Sequence, residues 1–507
     1  MRFEIFLKST LFVIILLISL KADSTIFIKE IILKGDIDKN DTLALDKIVL
    51  PYENKNLTIK NIYELRKKLN KHYKDKKQLF TKVVLPKQTI ENESITFLIV
   101  KSKVGKIKVL DNRFFSEKFI KNNLDFKEGK TLKYKDLLHS LLLLNEINDL
   151  NIKSFLKKGE NFGETDVYLK VKDSRPFHGD LMFDNLGSEN TSKYRTSLNI
   201  NYGNLFKDGD FFNLWTTIGN KNNSKLYRAK YVTTPFSKYH MKMNFSYLYA
   251  NYVVSGDLSI LDLKGDTYIY EAGFDFPLFY SDKDKIDIGA SYQKQKTKSY
   301  ILGSLSSKDD LNLMIFSNSW KVSNIFSKFN FTFLVTKAFD SDTKNGSRNS
   351  SQDNFSKLNF DLTYNHFINE KNYYKFTLNT QYTLDRLPIS QMMSLGGMNS
   401  IRGFDASVKL GDKGYITTLE WYHTPELKNI FKNTALGVFV DAGLVEVNQP
   451  VIGEDEKNRL IGTGVELLST IKEKYSTRLG VGFPIYSSYN RESDKGKVFF
   501  VFDAKLW

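Results

Sequence analysis

Side chains able to make or break bonds are thinly spread in this sequence. There is no cysteine, which excludes thiolate nucleophiles, thiolate metal sites and disulfides. The six histidines, His72, His139, His178, His240, His366 and His423, are scattered, and no pair has metal-ligand spacing. No G-x-S-x-G elbow or phosphate-binding loop occurs. Gly462, Thr463 and Gly464 lie in a strand-like run, so they predict a close backbone approach rather than a nucleotide loop. His240 and His366 read as strand residues. No catalytic residue, metal or cofactor is therefore assigned. What remains is a glycine-rich loop, 387–414, reading LPISQMMSLGGMNSIRGFDASVKLGDKG. Its arginine, Arg402, has a side chain capable of recognition chemistry, since a planar guanidinium can pair bidentately with a carboxylate. Gly396, Gly397 and Gly403 permit the backbone angles of a folded-back hairpin, and Phe404 offers an aromatic wedge beside Ser400 and Ile401.

The elements that position such a loop follow from composition. The 507 residues are 41% hydrophobic, 26% charged and 14% aromatic, with 39 Phe and 27 Tyr against 4 Trp. That is a folded chain. A mean hydropathy of −0.35 argues against a bundle of membrane helices and fits a membrane β-barrel. The net charge of +16 (74 Lys and Arg against 58 Asp and Glu) does not point to nucleic acid: the lysines are dispersed and mixed with acids, whereas such binding needs a clustered basic face.

Residues 1–24 (MRFEIFLKSTLFVIILLISLKADS) predict a secretory signal peptide. Arg2 and Lys8 precede a short apolar core, and Ala22 and Ser24 form a small-residue cleavage site. No later run reaches about 18 apolar residues. If the exported chain sits in a membrane, it does so as a barrel.

Residues 25–102 and 103–175 predict two small α+β modules, each strand–helix–helix–strand–strand. Strands are expected at 26–33, 81–85, 95–100, 106–110 and 166–171. Helices are expected at 58–73, with Ile59, Ile62, Leu65 and Leu69 on one stripe, and at 116–124 and 132–145.

From 176 to 507 the period is two. In 240–254, Met241, Met243, Phe245, Tyr247 and Tyr249 share one face, and Lys242, Asn244 and Ser246 the other. In 329–335, Phe329, Phe331 and Phe333 oppose Asn330 and Thr332. In 374–384, Tyr374, Phe376, Leu378 and Tyr382 oppose Lys375, Thr377, Asn379, Gln381 and Thr383. Such segments, about ten residues long, are transmembrane strands, and about 16 of them fit the span. Odd-to-even connections, 340–354, 387–413, 446–458 and 486–495, are long. Even-to-odd ones, 235–237 and 369–371, are short. That parity is the barrel rule of long external loops and short periplasmic turns. The last strand carries Val498, Phe500, Phe502, Ala504 and Leu506 on its apolar face, one residue out of step with Trp507, which is expected in the interfacial aromatic belt.

Five landmarks stand in order along the chain: 83–88 (VVLPKQ); 163–167 (GETDV); 183–187 (FDNLG) followed by 204–210 (NLFKDGD); the loop with its GG, SIRGF and GD-x-G; and 439–443 (FVDAG). Together they resemble the two-partner secretion transporters, the haemolysin secretion/activation (TpsB) family, over essentially the whole mature chain. The resemblance implies two periplasmic POTRA domains and an outer-membrane barrel. Such a protein exports one large exoprotein, a β-helical adhesin, haemolysin or growth inhibitor, without ATP; the POTRA domains receive the cargo's N-terminal secretion domain. It implies that Arg402 of loop 6 contacts Asp441 on the barrel wall, flanked by Phe439 and Gly443. It makes Leu85, Pro86 and Gln88 a POTRA landmark, which reads equally as a structural turn; cargo is expected to add a strand to an exposed sheet edge. The other expected partners are outer-membrane lipid and the barrel assembly machinery, with a monomer as the default state. The family's N-terminal plug helix has no counterpart before the first strand, so loop 6 and other loops are expected to close the lumen. The alternative is a membrane-protein insertase of the same superfamily, usually with more than two POTRA domains. A solute porin would not need the periplasmic modules, and an outer-membrane enzyme is not expected because the sequence holds no catalytic constellation.

Overall fold

The computed structural model describes residues 25–206, 209–236, 240–427, 433–489 and 495–506. The expected signal peptide (1–24) and Trp507 lie outside the described residues, as do parts of the 235–237 turn and the 486–495 loop. Packing divides the chain into two compact units. One holds residues up to 110 with 124–141 and 152–170; the other holds 111–123, 142–151 and everything from 171.

In chain order the first module consists of β1 (Thr25–Ile28), β2 (Glu30–Gly35), α1 (Thr42–Val49), β3 (Lys55–Thr58), α2 (Ile59–Asp75), β4 (Thr81–Val84) and β5 (Ser94–Lys101). The single strand expected at 26–33 is broken at Lys29. Its halves have different partners: β1 pairs antiparallel with β3, and β2 pairs parallel with β5. Helix α2 starts where Thr58 and Asn61 form a reciprocal capping box, which satisfies backbone donors that the first turn leaves free. Its buried stripe is Ile62, Leu65, Leu69 and Tyr73. Ile59, expected on that stripe, is 59% exposed because it occupies the first helical position, ahead of the packed turns. The stripe meets Ile28, Phe97 and Ile99 in one apolar cluster. The second helix that the expected pattern required, but did not place, is α1; strand β3 was not anticipated.

On both edge strands of the sheet β2-β5-β4, side chains occupy some of the backbone groups. Asn70 of α2 bonds both the N–H and the C=O of Val83 on β4. Glu53 accepts from Ile31 N on β2. Such blocking discourages the addition of a further strand at those positions.

The second module adds β6 (Lys103–Leu110), α3 (Glu117–Asn122), α4 (Tyr134–Leu144), β7 (Leu150–Lys158) and β8 (Glu164–Asp173), with sheet order β6-β8-β7. The acid of the GETDV run has a local cause. Asp166 Oδ1 accepts from Lys106 N at 2.7 Å, where the β6–β8 register shifts. A Cβ on Gly105 would stand 2.2 Å from that oxygen.

Sixteen antiparallel strands then close into a barrel. The first eight are β9 (Phe177–Asp184), β10 (Arg195–Gly203), β11 (Phe211–Gly219), β12 (Ser224–Phe236), β13 (Met241–Val253), β14 (Lys264–Tyr280), β15 (Asp284–Ile301) and β16 (Ser304–Ser323). Next come β17 (Ser327–Ala338), β18 (Ser356–Phe367) and β19 (Asn372–Tyr382). A small hairpin of β20 (Met393–Leu395) and β21 (Lys409–Gly411) lies within the following loop. The wall resumes with β22 (Lys413–His423), β23 (Asn433–Glu446), β24 (Lys457–Ile471), β25 (Tyr475–Ser487) and β26 (Lys497–Lys505).

Alternation decides what faces where. Phe316, Trp320, Phe360 and Val498 are exposed, and rings stack between strands, as Phe333 does on Phe360 at 4.7 Å. The opposite faces carry polar pairs such as Asn379 with Asp361 at 2.7 Å and Asn213 with Asn199 at 2.6 Å. This is the apolar-out, polar-in arrangement of a membrane barrel. The connections keep the expected parity with three exceptions: 220–223 and 302–303 are short, and 424–432 is as long as the external connection 488–496; β15 and β16 run to 18 and 20 residues instead. His240 sits in a turn just before β13, not on it, whereas His366 lies within β18.

Closure joins β26 to β9 over five residue pairs. Beyond them the Asn185 amide continues the ladder, donating to Val498 O at 2.9 Å and accepting from Phe500 N at 2.8 Å. That explains the asparagine of FDNLG.

Candidate functional site

The loop 383–412, between β19 and β22, folds back against the polar face of the barrel. Gly396, Gly397 and Gly403 all have φ between 90° and 100°, a region that L-residues avoid. Ser400 braces the turn: its Oγ accepts from Gly396 N at 3.2 Å and donates to Ser394 O at 3.3 Å. Ile401 and Phe404, both buried, pack with Leu395, Ile416, Val445 and Leu460. The tip reaches the wall because the wall is bare there. A Cβ on Gly462 would lie 2.1 Å from Arg402 O, so the GTG run is a close backbone approach. Gly443 likewise faces Leu395 and Ile401, which its Cβ would meet at 2.8 and 2.9 Å.

At the tip, Arg402 is 3% exposed and Asp441 fully buried. Arg402 Nε donates to Asp441 Oδ2 at 2.8 Å and Nη2 to Oδ1 at 2.7 Å; the Arg402 backbone N–H adds 2.9 Å to Oδ2. The fork is thus bidentate, the strongest neutral-pH geometry for this pair. The guanidinium carbon lies 3.4 Å from the centre of the Phe439 ring, a cation–π contact inside a site shielded from water. Nη1 reaches Glu420 at 2.8 Å and Glu466 at 3.4 Å.

Those two glutamates have further partners on the wall. Lys375 lies 2.7 Å from Glu420, Arg478 lies 2.8 Å from Glu466, and Tyr422 donates its hydroxyl to Glu466. Three cations therefore balance three carboxylates. Among the described residues, Asp441 has Arg402 alone as its side-chain cation, whereas Glu420 and Glu466 each keep a cation from the strands. Such an arrangement holds a loop in place without bond chemistry, and it can release the loop at the cost of one orphaned carboxylate.

Glu420, Glu466 and Arg478 were not singled out in the sequence, and Lys375 stood there only as a polar-face residue of 374–384. The available signal was weak: each is a charge on the polar face of a membrane strand, where ionisable groups are costly and mark function.

The POTRA-like landmark lies in the first module. Gln88 accepts from Thr96 N and donates to Thr96 O, both at 2.8 Å, serving the stretch of β5 that β4 is too short to reach. Leu85 packs on the apolar cluster, and Pro86 O accepts from Gln88 at 3.4 Å. These residues brace the sheet and are not brought to the loop site.

Comparison with known proteins agrees with this architecture. Residues 163–468 match the family model described as haemolysin secretion/activation protein ShlB/FhaC/HecB, and residues 26–102 match the ShlB-type POTRA domain. The heme/hemopexin transporter protein HuxB of Haemophilus influenzae (strain 86-028NP) is 22% identical over 472 residues, covering 89% of this chain and 82% of HuxB. The outer membrane transporter CdiB of Dickeya dadantii (strain 3937) is 22% identical over 396 residues, covering 75% and 70%. The solved structure of CdiB from Escherichia coli shares the fold, with a TM-score of 0.80 at 16% identity over 96% of this chain and 91% of that one.

Proposed function

The chain belongs to the haemolysin secretion/activation protein family, and from that premise we propose that it carries one dedicated large exoprotein across the outer membrane through its own barrel. The N-terminal modules stand in the periplasm and receive the N-terminal secretion domain of that cargo; the barrel conducts it outward. The cargo is an extended polypeptide on entry and a β-helical adhesin, haemolysin or growth inhibitor once folded outside. Its folding, not ATP, draws it through.

The observation that carries this reading is the 383–412 loop, whose tip is docked on the wall by Arg402 and Asp441. The wall cations Lys375 and Arg478 already serve Glu420 and Glu466, which suits a loop that can leave the wall. In the resting state the loop obstructs the lumen. During export the tip leaves the wall, and the wall cations keep Glu420 and Glu466 neutralised while it is away.

The test is complementation. Cells lacking this protein are supplied with it or with empty vector, and large exoproteins of the same genome are assayed in medium and on the surface. One exoprotein is expected outside only when the protein is present. Unchanged exoproteins together with poorly assembled other barrels would make it an insertase instead.

A further inference from the structure

A second set of buried charges lies at the root of the same loop, away from the Arg402 socket. Arg386 is 1% exposed and belongs to the N-terminal limb of the loop. It grips Glu454, of the 447–456 loop, through two bonds of 2.8 and 2.9 Å. Its remaining donors go to backbone: Asn349 O at 2.8 Å, Gln449 O at 3.0 Å and Asn448 O at 3.2 Å. Arg348, of the 339–355 loop, grips Asp412 through bonds of 2.7 and 3.2 Å and reaches Glu454 at 2.9 Å. Asp412 ends the C-terminal limb and is fully buried. It also accepts from Leu387 N and Asn448 N, both at 2.7 Å. Two guanidiniums and two carboxylates thus tie both limbs of the loop to each other and to the loops on either side.

We propose that Arg348, Arg386, Asp412 and Glu454 are positioning residues for Arg402. They form a clasp that holds the root of the loop fixed, so that the arm beyond it, 393–411, is aimed at the wall and returns there after each excursion. The clasp rests on neighbouring loops and not on cargo, so it stays closed while the tip opens. The physical grounds are geometric. Bidentate guanidinium pairs fix orientation as well as distance, and an arm anchored at both limbs loses much of the freedom that would otherwise oppose docking at its tip. Arg386 holds the Glu454 carboxyl down at about 2, so that carboxylate is charged at neutral pH. The consequence for export rests on the function proposed above; the positioning itself does not.

The chain has no cysteine, which gives a clean test. Ser400, 8% exposed at the loop tip, is replaced by Cys in the otherwise intact protein. A membrane-impermeant maleimide is then added to whole cells. Labelling is expected to be slow in Ser400→Cys alone and fast with Arg402→Ala. With Glu454→Gln or Arg386→Gln it is expected to rise about tenfold, the factor that 1.4 kcal/mol represents, while heat-modifiable barrel stays at its normal amount. Arg386→Lys keeps the charge but not the fork and should label like Arg386→Gln. If Arg386 variants fail to assemble, the isosteric Glu454→Gln carries the test. Tip labelling that stays slow in the clasp variants, while Arg402→Ala labels fast, overturns the proposal. Because no export is measured, this outcome is separate from failure of the transport reading.

Discussion

At the tip of the 383–412 loop, Arg402 bonds carboxylates that stand on barrel strands. At its root, Arg348 and Arg386 bond carboxylates and carbonyls that stand on loops. The chemistry is the same and the footing differs. Strand residues are fixed by ladders on both sides, so the tip socket keeps its shape when empty. The root is scaffolded in part: the Asp412 N–H donates to Glu446 O of β23 and its carbonyl accepts from Gln381 of β19, whereas Arg348, Arg386 and Glu454 stand on three loops that hold one another. The tip is therefore suited to release and recapture, and the root to steady anchorage.

Substitutions at the two ends should separate these roles. The largest effect is expected at Asp441→Ala. It leaves Arg402 buried without its main partner, a loss of about 3–5 kcal/mol for a broken buried pair. The Ser400→Cys tip should become fully labelled and export should fall to background. Gly462→Ala comes next. Its methyl would collide with Arg402 O, and overpacking of this kind costs about 1–3 kcal/mol. The tip should undock with every charge intact; normal export from a normally assembled Gly462→Ala barrel would show that close fit at the tip is dispensable.

Acid gives a smaller and graded effect at the root. Glu454 titrates at about 2 in the folded protein, below its usual 4.5, chiefly because Arg386 bonds it. A lowered pKa contributes stability that is complete above the ordinary value and is lost as pH falls toward the folded one. Tip labelling, read with an acid-tolerant thiol reagent, should be flat from neutral pH to about 5 and rise only below about 4. A rise beginning near pH 6 would mean that another group controls the root. The smallest effect is expected far from the loop. Gln88→Ala removes two hydrogen bonds to Thr96, worth about 1–2 kcal/mol together. Limited proteolysis of the whole protein should cut the first module sooner, with export reduced only to the extent that the module is lost.

The barrel was legible because two signals agreed: period-two alternation in segments such as 329–335, and connections that alternate between long and short. The modules were less so. The break at Lys29 arises because β1 and β2 pair with strands far apart in sequence, which no local pattern contains. Helix α1 is only eight residues long, too brief for a clear stripe. At the site, the glycines and Arg402 were visible as a motif, and Asp441 came from the family resemblance. Arg348, Arg386 and Glu454 carried no motif, and Asp412 sat in the GD-x-G run without an assigned role. Their guanidinium–carboxylate pairs span 64 to 106 positions and meet only in the folded barrel. Sequence spacing records neighbours along a strand; it does not record which loops converge over a lumen.

The most direct test compares export per assembled barrel in the intact protein and in Arg402→Ala. Both are produced at equal levels beside the exoprotein identified by complementation, heat-modifiable barrel is quantified in the outer membrane, and exported cargo is quantified in the medium. The account predicts a normal amount of barrel and at least a tenfold fall in cargo, as expected when a buried ion pair worth well over 1.4 kcal/mol is lost. Cargo that falls only in proportion to the barrel, or not at all, would contradict it.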